Sequence, residues 1–169
     1  MKHLRLIKNN SKNSTYLLLD KKKFKCKVGK NGVGKKTREG DLITPEGVFS
    51  LKRVFFRSDK ISKPKTSLNL KKIEKFDFWC VDSRSNKYNK LYLKSKKFRC
   101  EKLHRHDSLY DIIIEISFNT LPIRKNKGSA IFIHCSGGSS FTEGCISLKK
   151  EVLLQLLKKI SPTTKLIIS

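Results

Sequence analysis

Apolar residues fall into short runs along this chain, most of them of strand length. Tyr16 to Leu19 and Phe24 to Val28, joined through Asp20 and a lysine triplet, predict an early hairpin. The turn Thr44-Pro45-Glu46-Gly47 introduces a longer strand over Val48 to Phe56. Phe76 to Val81, Tyr110 to Ile116, Ala130 to Ile133 and Lys165 to Ile168 add further strands. Arg57 to Lys75 is polar and lysine-rich and predicts a loop with a little local structure. One stretch changes period. Val152, Leu153, Leu156, Leu157 and Ile160 recur at helical spacing, with Lys149, Lys150, Lys158 and Lys159 largely on the other side. Ser147 is its predicted N-cap and Ser161-Pro162 its stop. The pattern predicts one mainly β (α+β) domain over residues 1–169, close to a β-sandwich with mixed strands and a helix near the C-terminus.

The chemistry concentrates between Gly128 and Leu148, which reads GSAIFIHCSGGSSFTEGCISL. Side chains alternate across a strand, so Phe132 and His134 share one face while Ile131, Ile133 and Cys135 share the other. A Ser/Gly-rich loop over Ser136 to Ser140 then leads through Thr142-Glu143-Gly144 to Cys145. A nucleophilic thiol needs a base within reach and backbone N–H donors for a developing oxyanion. His134 supplies the base and Cys145 the thiol, and Gly144 permits the tight backbone that aims N–H groups at a carbonyl oxygen. Placed just ahead of the helix, Cys145 is expected to feel its positive end, which favours the thiolate. Cys135, grouped with two isoleucines, is expected to be an inert core thiol. A His and a Cys within such a window are also common as unrelated structural residues.

Charge adds one question. Lys+Arg number 39 against 14 Asp+Glu, a net +25. That excess attracts polyanions at low salt. It is mostly lysine, scattered in pairs and triplets, whereas base reading more often uses Arg. A solvated basic surface with non-specific polyanion binding is therefore favoured over a dedicated nucleic-acid site. No run is long and apolar enough for a membrane span. Leu4, Leu6 and Ile7 are interrupted by Arg5 and Lys8, so no signal-peptide core is visible. Five cysteines without close pairing argue against a disulfide framework. GKNGVGK at Gly29 to Lys35 nearly matches a phosphate loop, but Lys36 stands at the Ser/Thr position and no helix pattern follows, so a tight turn is the better reading. His104 and His106 lack companions at ligand spacing, and no metal or cofactor is expected.

The ordered pieces resemble a known family. An apolar strand ending in His134, then Thr142, Gly144, Cys145 and Ile146, is similar to the YkuD-type L,D-transpeptidase catalytic domain. EGDLITPEGVFSL at Glu39 to Leu51, FWCVD at Phe78 to Asp82, KYN at Lys87 to Asn89 and HRHDSLYD at His104 to Asp111 follow the order of its small stand-alone branch, from about Val28 to the C-terminus. Asp41 and Gly47 fall on recurring positions, where turn geometry is the expected role. Two positions depart: Glu143 stands where many members have His, and Ser147 and Leu148 where many carry Arg or Asn.

The resemblance implies Cys145 as nucleophile, His134 as proton donor and acceptor, and the backbone at Gly144 as oxyanion donor. It also implies Arg105, Trp79 and Thr142 in substrate binding, although Trp79 beside Cys80 equally suits a core. The implied substrates are peptidoglycan stem peptides and the implied setting is the cell envelope or periplasm. The implied reaction forms a thioester that an amine resolves to a crosslink. Two rivals stand beside it. Water in place of the amine would make an L,D-carboxypeptidase or endopeptidase. Structural cysteines would leave a basic, non-catalytic polyanion-binding protein.

Overall fold

A computed structural model describes residues 2–9, 14–93 and 97–169. The first strands are β1 (His3–Asn9), β2 (Ser14–Leu19) and β3 (Lys22–Cys26). The predicted hairpin is β2–β3, which turns at Asp20 with φ of 54° and pairs Leu19 with Lys22. β1 goes beyond the sequence reading. Its signal is a period of two over His3 to Leu6: Leu4 and Leu6 are buried while His3 and Arg5 are exposed. Arg5, one of the charges that interrupt a leader core, belongs to the outward face of a strand.

The middle of the chain gives β4 (Val33–Gly34), β5 (Thr44–Pro45), β6 (Gly47–Phe56) and β7 (Asn69–Lys72). β7 is the little local structure within the loop expected over Arg57 to Lys75: it pairs in parallel with β6, Val54 opposite Leu70. Next come β8 (Asp77–Cys80), β9 (Leu91–Leu93), β10 (Cys100–Lys102) and β11 (Ile112–Ile116). The C-terminal part holds β12 (Phe132–Cys135), β13 (Ile146–Leu148), α1 (Lys150–Leu157) and β14 (Lys165–Ile168).

The main sheet runs β13-β12-β11-β6-β14-β1-β2-β3, with β7 attached to β6. It is mixed: β12–β13, β14–β1 and β6–β7 are parallel, the other neighbours antiparallel. Its two ends meet. Just past β3, the Lys27 N–H donates to the Ser147 carbonyl at 2.8 Å, and the Ser147 N–H returns a bond to Lys27 at 3.0 Å. The curled sheet therefore leaves little unpaired edge at this seam. β10-β8-β9 form a separate small sheet.

Alternation divides the interior in two. Ile112, Ile114 and Ile116 on β11 join Leu4, Leu17, Val54, Ile133 and Leu166 in the main core, which Leu153, Leu156 and Leu157 of α1 cover. Ile113 turns the other way, to Phe55, Trp79, Tyr110 and Phe132. Each fully buried large side chain contributes about 1.5–3 kcal/mol before ordering entropy is counted. Trp79 fits this second cluster closely, edge-on to Phe132 at 4.9 Å, with its indole N–H donating to Asn89 Oδ1 at 2.9 Å. Among the described residues no helix is long and apolar enough to cross a membrane.

Gly29 to Gly32 is a turn that leads into β4 and β5 and not into a helix. At Gly29 three segments converge. Its N–H donates to Thr44 Oγ1 at 2.8 Å, it bridges to Thr142, and a Cβ there would lie 2.2 Å from the Leu42 carbonyl oxygen. Gly29→Ala must therefore displace backbone, at a cost of at least about 1–3 kcal/mol. A lowering of Tm by roughly 4–10 °C is expected in thermal denaturation. Gly138→Ala, whose added methyl meets open space, is the matched control and should shift Tm by no more than about 2 °C.

Candidate functional site

The site is built on two adjacent parallel strands. Pairing of β12 with β13 sets Ile133 opposite Ile146 and His134 opposite Ser147, which brings Cys145 to the start of β13 beside Phe132. As alternation predicts, Ile131, Ile133 and Cys135 enter the main core, while Ala130, Phe132 and Cys145 belong to the second cluster. His134 and Cys145 line one cavity of about 840 Å³, together with Glu101, Arg105 and Tyr110.

The thiol is held by backbone. The Phe132 N–H donates to Cys145 Sγ at 3.3 Å, and Sγ donates to the Ala130 carbonyl at 3.2 Å. The residue is half-buried but its sulfur is enclosed. Burial, with the Glu101 charge as a further contribution, pushes the thiol up to about 12. This overturns the expectation of a helix-stabilised thiolate. Ser147 lies in β13 and caps nothing. The N-cap position is Lys149, without a side-chain cap, so a whole strand separates Cys145 from α1.

His134 is 8% exposed and stands edge-on to Tyr110, ring centroids 5.3 Å apart. Its Nδ1 lies 2.8 Å from the Cys135 carbonyl oxygen. A carbonyl only accepts, so Nδ1 carries the proton and Nε2 carries the lone pair. Burial pushes the imidazole down to about 4, so it is neutral at neutral pH and available as a base. The carbonyl of Cys135 thus sets the tautomer, while its thiol is the inert core group expected.

The turn before Cys145 is clamped from below. The Thr142 hydroxyl donates to the Cys145 carbonyl at 2.6 Å and accepts from the Gly144 N–H at 3.1 Å. One engagement is a correction, because the Gly144 N–H expected to face an oxyanion is already taken by Thr142; Thr142 itself lines the cavity while it braces the turn. Gly144 has φ of 138°, and a Cβ there would meet the Ile43 carbonyl oxygen at 2.9 Å. Beneath it lies Lys36, 3% exposed, its Nζ 2.5 Å from Asp41 Oδ1. Burial raises the Asp41 carboxyl, but Lys36 and the N–H groups of Ile43, Thr37 and Arg38 outweigh it and hold the group below its ordinary value. Asp41 is thus the turn organiser the sequence suggests.

On the opposite wall the Tyr110 hydroxyl donates to Glu101 Oε1, and Arg105 lies over the Tyr110 ring at 5.3 Å. Burial pushes the Glu101 carboxyl up, the Tyr110 bond opposing. Arg105 reaches the cavity from an irregular turn, so His104 and His106 share no strand. Its Nε and Nη2 pair with Asp107 at 2.9 and 2.6 Å. Trp79, 2% exposed, does not line the cavity; core packing displaces the substrate role expected of it. Lys27 fastens the Ser/Gly-rich loop through bonds to the Gly137 and Ser139 carbonyls at 2.9 and 2.5 Å. Sequence reasoning missed Lys36, Glu101 and Tyr110. Only Glu101 had a usable signal, a lone acid inside LKSKKFRCEK.

A neutral base, an enclosed thiol and a polar-walled cavity suit acyl transfer to sulfur. Two solved structures are similar to this one, at low sequence identity. An L,D-transpeptidase from Mycobacterium smegmatis is 12% identical with a TM-score of 0.43, the match covering 99% of this chain and 59% of that one. Mycobacterium tuberculosis L,D-transpeptidase 1 is 11% identical with a TM-score of 0.42, over 99% of this chain and 62% of that one. This chain thus spans about three-fifths of either protein. No curated protein matches it. The family model of the L,D-transpeptidase catalytic domain (YkuD) matches residues 4–168, nearly the whole chain, and the chain belongs to that family.

Proposed function

We propose that this protein is an L,D-transpeptidase that transfers an acyl group between peptidoglycan stem peptides through a thioester on Cys145. The observation that carries the reading is the shared cavity: His134 and Cys145 both line it, and commitment of Nδ1 to the Cys135 carbonyl leaves Nε2 as the basic nitrogen of the ring. In the first step Cys145 leaves its bond to Ala130 and His134 takes the thiol proton as sulfur attacks the stem-peptide carbonyl. The Cys145 N–H, with the Gly144 N–H engaged by Thr142, is the backbone donor assigned to the oxyanion. Collapse expels the terminal amino acid, whose amine receives the proton from His134. An amine of a second stem peptide then attacks the thioester, and sulfur leaves with its proton restored. Arg105 presents the guanidinium edge not used by Asp107 to a substrate carboxylate. Peptidoglycan sets the place of action at the cell envelope.

A resting neutral thiol beside a neutral imidazole has a measurable signature. With Cys145 near 12, the thiolate fraction rises about tenfold per pH unit below that value. Alkylation of Cys145 by iodoacetamide, followed by peptide mass spectrometry from pH 6 to 9, should climb without a plateau. A rate already level from the acid side would instead reveal a thiolate–imidazolium pair and reject the neutral resting state.

Intact-mass measurement with a carbapenem, whose strained lactam carbonyl acylates thiols, tests the two roles. Cys145→Ala should form no adduct. His134→Ala should acylate about 10²–10⁴-fold more slowly, the usual worth of general acid–base assistance. An equal adduct on Cys145→Ala removes the nucleophile assignment, and an unchanged rate in His134→Ala removes the base. With muropeptides as substrate, a crosslinked product supports transpeptidation and a trimmed monomer alone supports the hydrolytic reading.

A further inference from the structure

Cys80 and Cys100 are direct partners across β8 and β10. The hydrogen bonds show which kind of pair they make. Val81 N–H donates to the Arg99 carbonyl at 3.1 Å and Leu103 N–H to the Asp77 carbonyl at 3.0 Å. Those pairs are the hydrogen-bonded ones, and alternation leaves Cys80 and Cys100 as a non-hydrogen-bonded pair. The backbone of Cys80 agrees. Its N–H donates to the Lys90 carbonyl at 3.0 Å and its carbonyl accepts from the Asn89 N–H at 2.8 Å, both on the β9 side. Non-hydrogen-bonded pairs hold their α-carbons about 4.5 Å apart with side chains together. A disulfide spans about 4.4–6.8 Å between α-carbons, so the strands need not move apart or closer.

Access differs between the two thiols. Cys80 is 0% exposed, whereas Cys100 is half-buried and lines the reaction cavity. The remaining cysteines have no such partner among the described strand registers, and all five are reduced. Cys26 and Cys135 are buried, and burial pushes them up to about 12 and about 11.

We propose that Cys80 and Cys100 are a site of covalent modification, closing to a cross-strand disulfide by exchange with a small-molecule or protein disulfide. Cys100 attacks the external disulfide, forms a mixed disulfide and releases one thiol. Cys80 then attacks the Cys100 sulfur and releases the second thiol, so that two cysteine thiols are oxidised as one external disulfide is reduced to two thiols. The bond fixes β10 to β8. Glu101 follows Cys100 on the opposite face of β10, opposite Trp79, and holds the Tyr110 hydroxyl beside His134. Closure therefore locks the wall that carries the ring against His134 and leaves Cys145 free. This inference stands apart from the acyl-transfer reading, since it concerns thiols outside the proposed reaction.

The test incubates the full chain with oxidised glutathione, blocks remaining thiols with N-ethylmaleimide and maps tryptic peptides without reduction. The expected product joins the peptide from Phe76 to Arg84 to that from Cys100 to Lys102, with loss of two hydrogens, while Cys145 carries the blocking group. Cys100→Ser, at a half-buried position, should abolish the joined peptide, and dithiothreitol should reverse it in the unsubstituted chain. Hydrogen exchange of β8 and β10 should slow in the oxidised form. Glutathione retained on Cys100, a bond from Cys100 to Cys145, or no reaction at either cysteine would each overturn the proposal.

Discussion

The parallel pairing of β12 with β13 is the constraint on which the site depends. It sets base and thiol on neighbouring strands, where backbone hydrogen bonds and not flexible side chains fix their relation. The side-chain period is two, so a slip of one residue in β12 would turn His134 into the main core and Cys135 into the cavity. Three buried isoleucines guard against that slip: Ile131 just ahead of β12, Ile133 on it and Ile146 on β13 are all at most 6% exposed. Hydrophobic burial thus selects the register, and the register places the chemistry.

Charge inside the cleft is more balanced than over the protein as a whole. The chain is strongly cationic, yet Glu39, Glu101 and Glu143 line the cavity beside Lys36, Arg99 and Arg105, and the buried Lys36 is neutralised by Asp41. Low dielectric and nearby carboxylates both disfavour an anionic sulfur. The cleft therefore stores the nucleophile as a thiol and develops charge only as a proton moves to His134. Such a design limits side reactions with stray electrophiles between substrates.

Much of this was legible in the chain. The face shared by Phe132 and His134, the core placement of Cys135, the β2–β3 hairpin and the strand over Lys165 to Ile168 all follow from local period. What escaped was set by distant partners. β7 is too polar to announce itself and exists because β6 offers it an edge. Ser147 looks like an N-cap but is drawn into a strand by pairing with β12 and Lys27. Lys36, which spoils the phosphate-loop pattern, becomes a buried ion-pair partner only because the chain folds back to bring Asp41 and Gly144 around it. Trp79, to which the resemblance gave a substrate role, spends its indole N–H on its own fold.

The middle of the main sheet is its latest part to be made. β14, residues 165–168, lies between β6 and β1, pairing antiparallel with one and parallel with the other. Until those residues leave the ribosomal tunnel, β1-β2-β3 and β6-β11-β12-β13 lack the strand that pairs with both, and the described backbone bridges between them lie next to β3, at Lys27–Ser147 and Gly29–Thr142. Contacts between segments so far apart in sequence form slowly, because long loops must close first. The half of the sheet that carries Cys145 is therefore made before the strand that joins it to β1-β2-β3. An emerging polypeptide of this kind is a natural client for chaperones that bind unpaired strand edges.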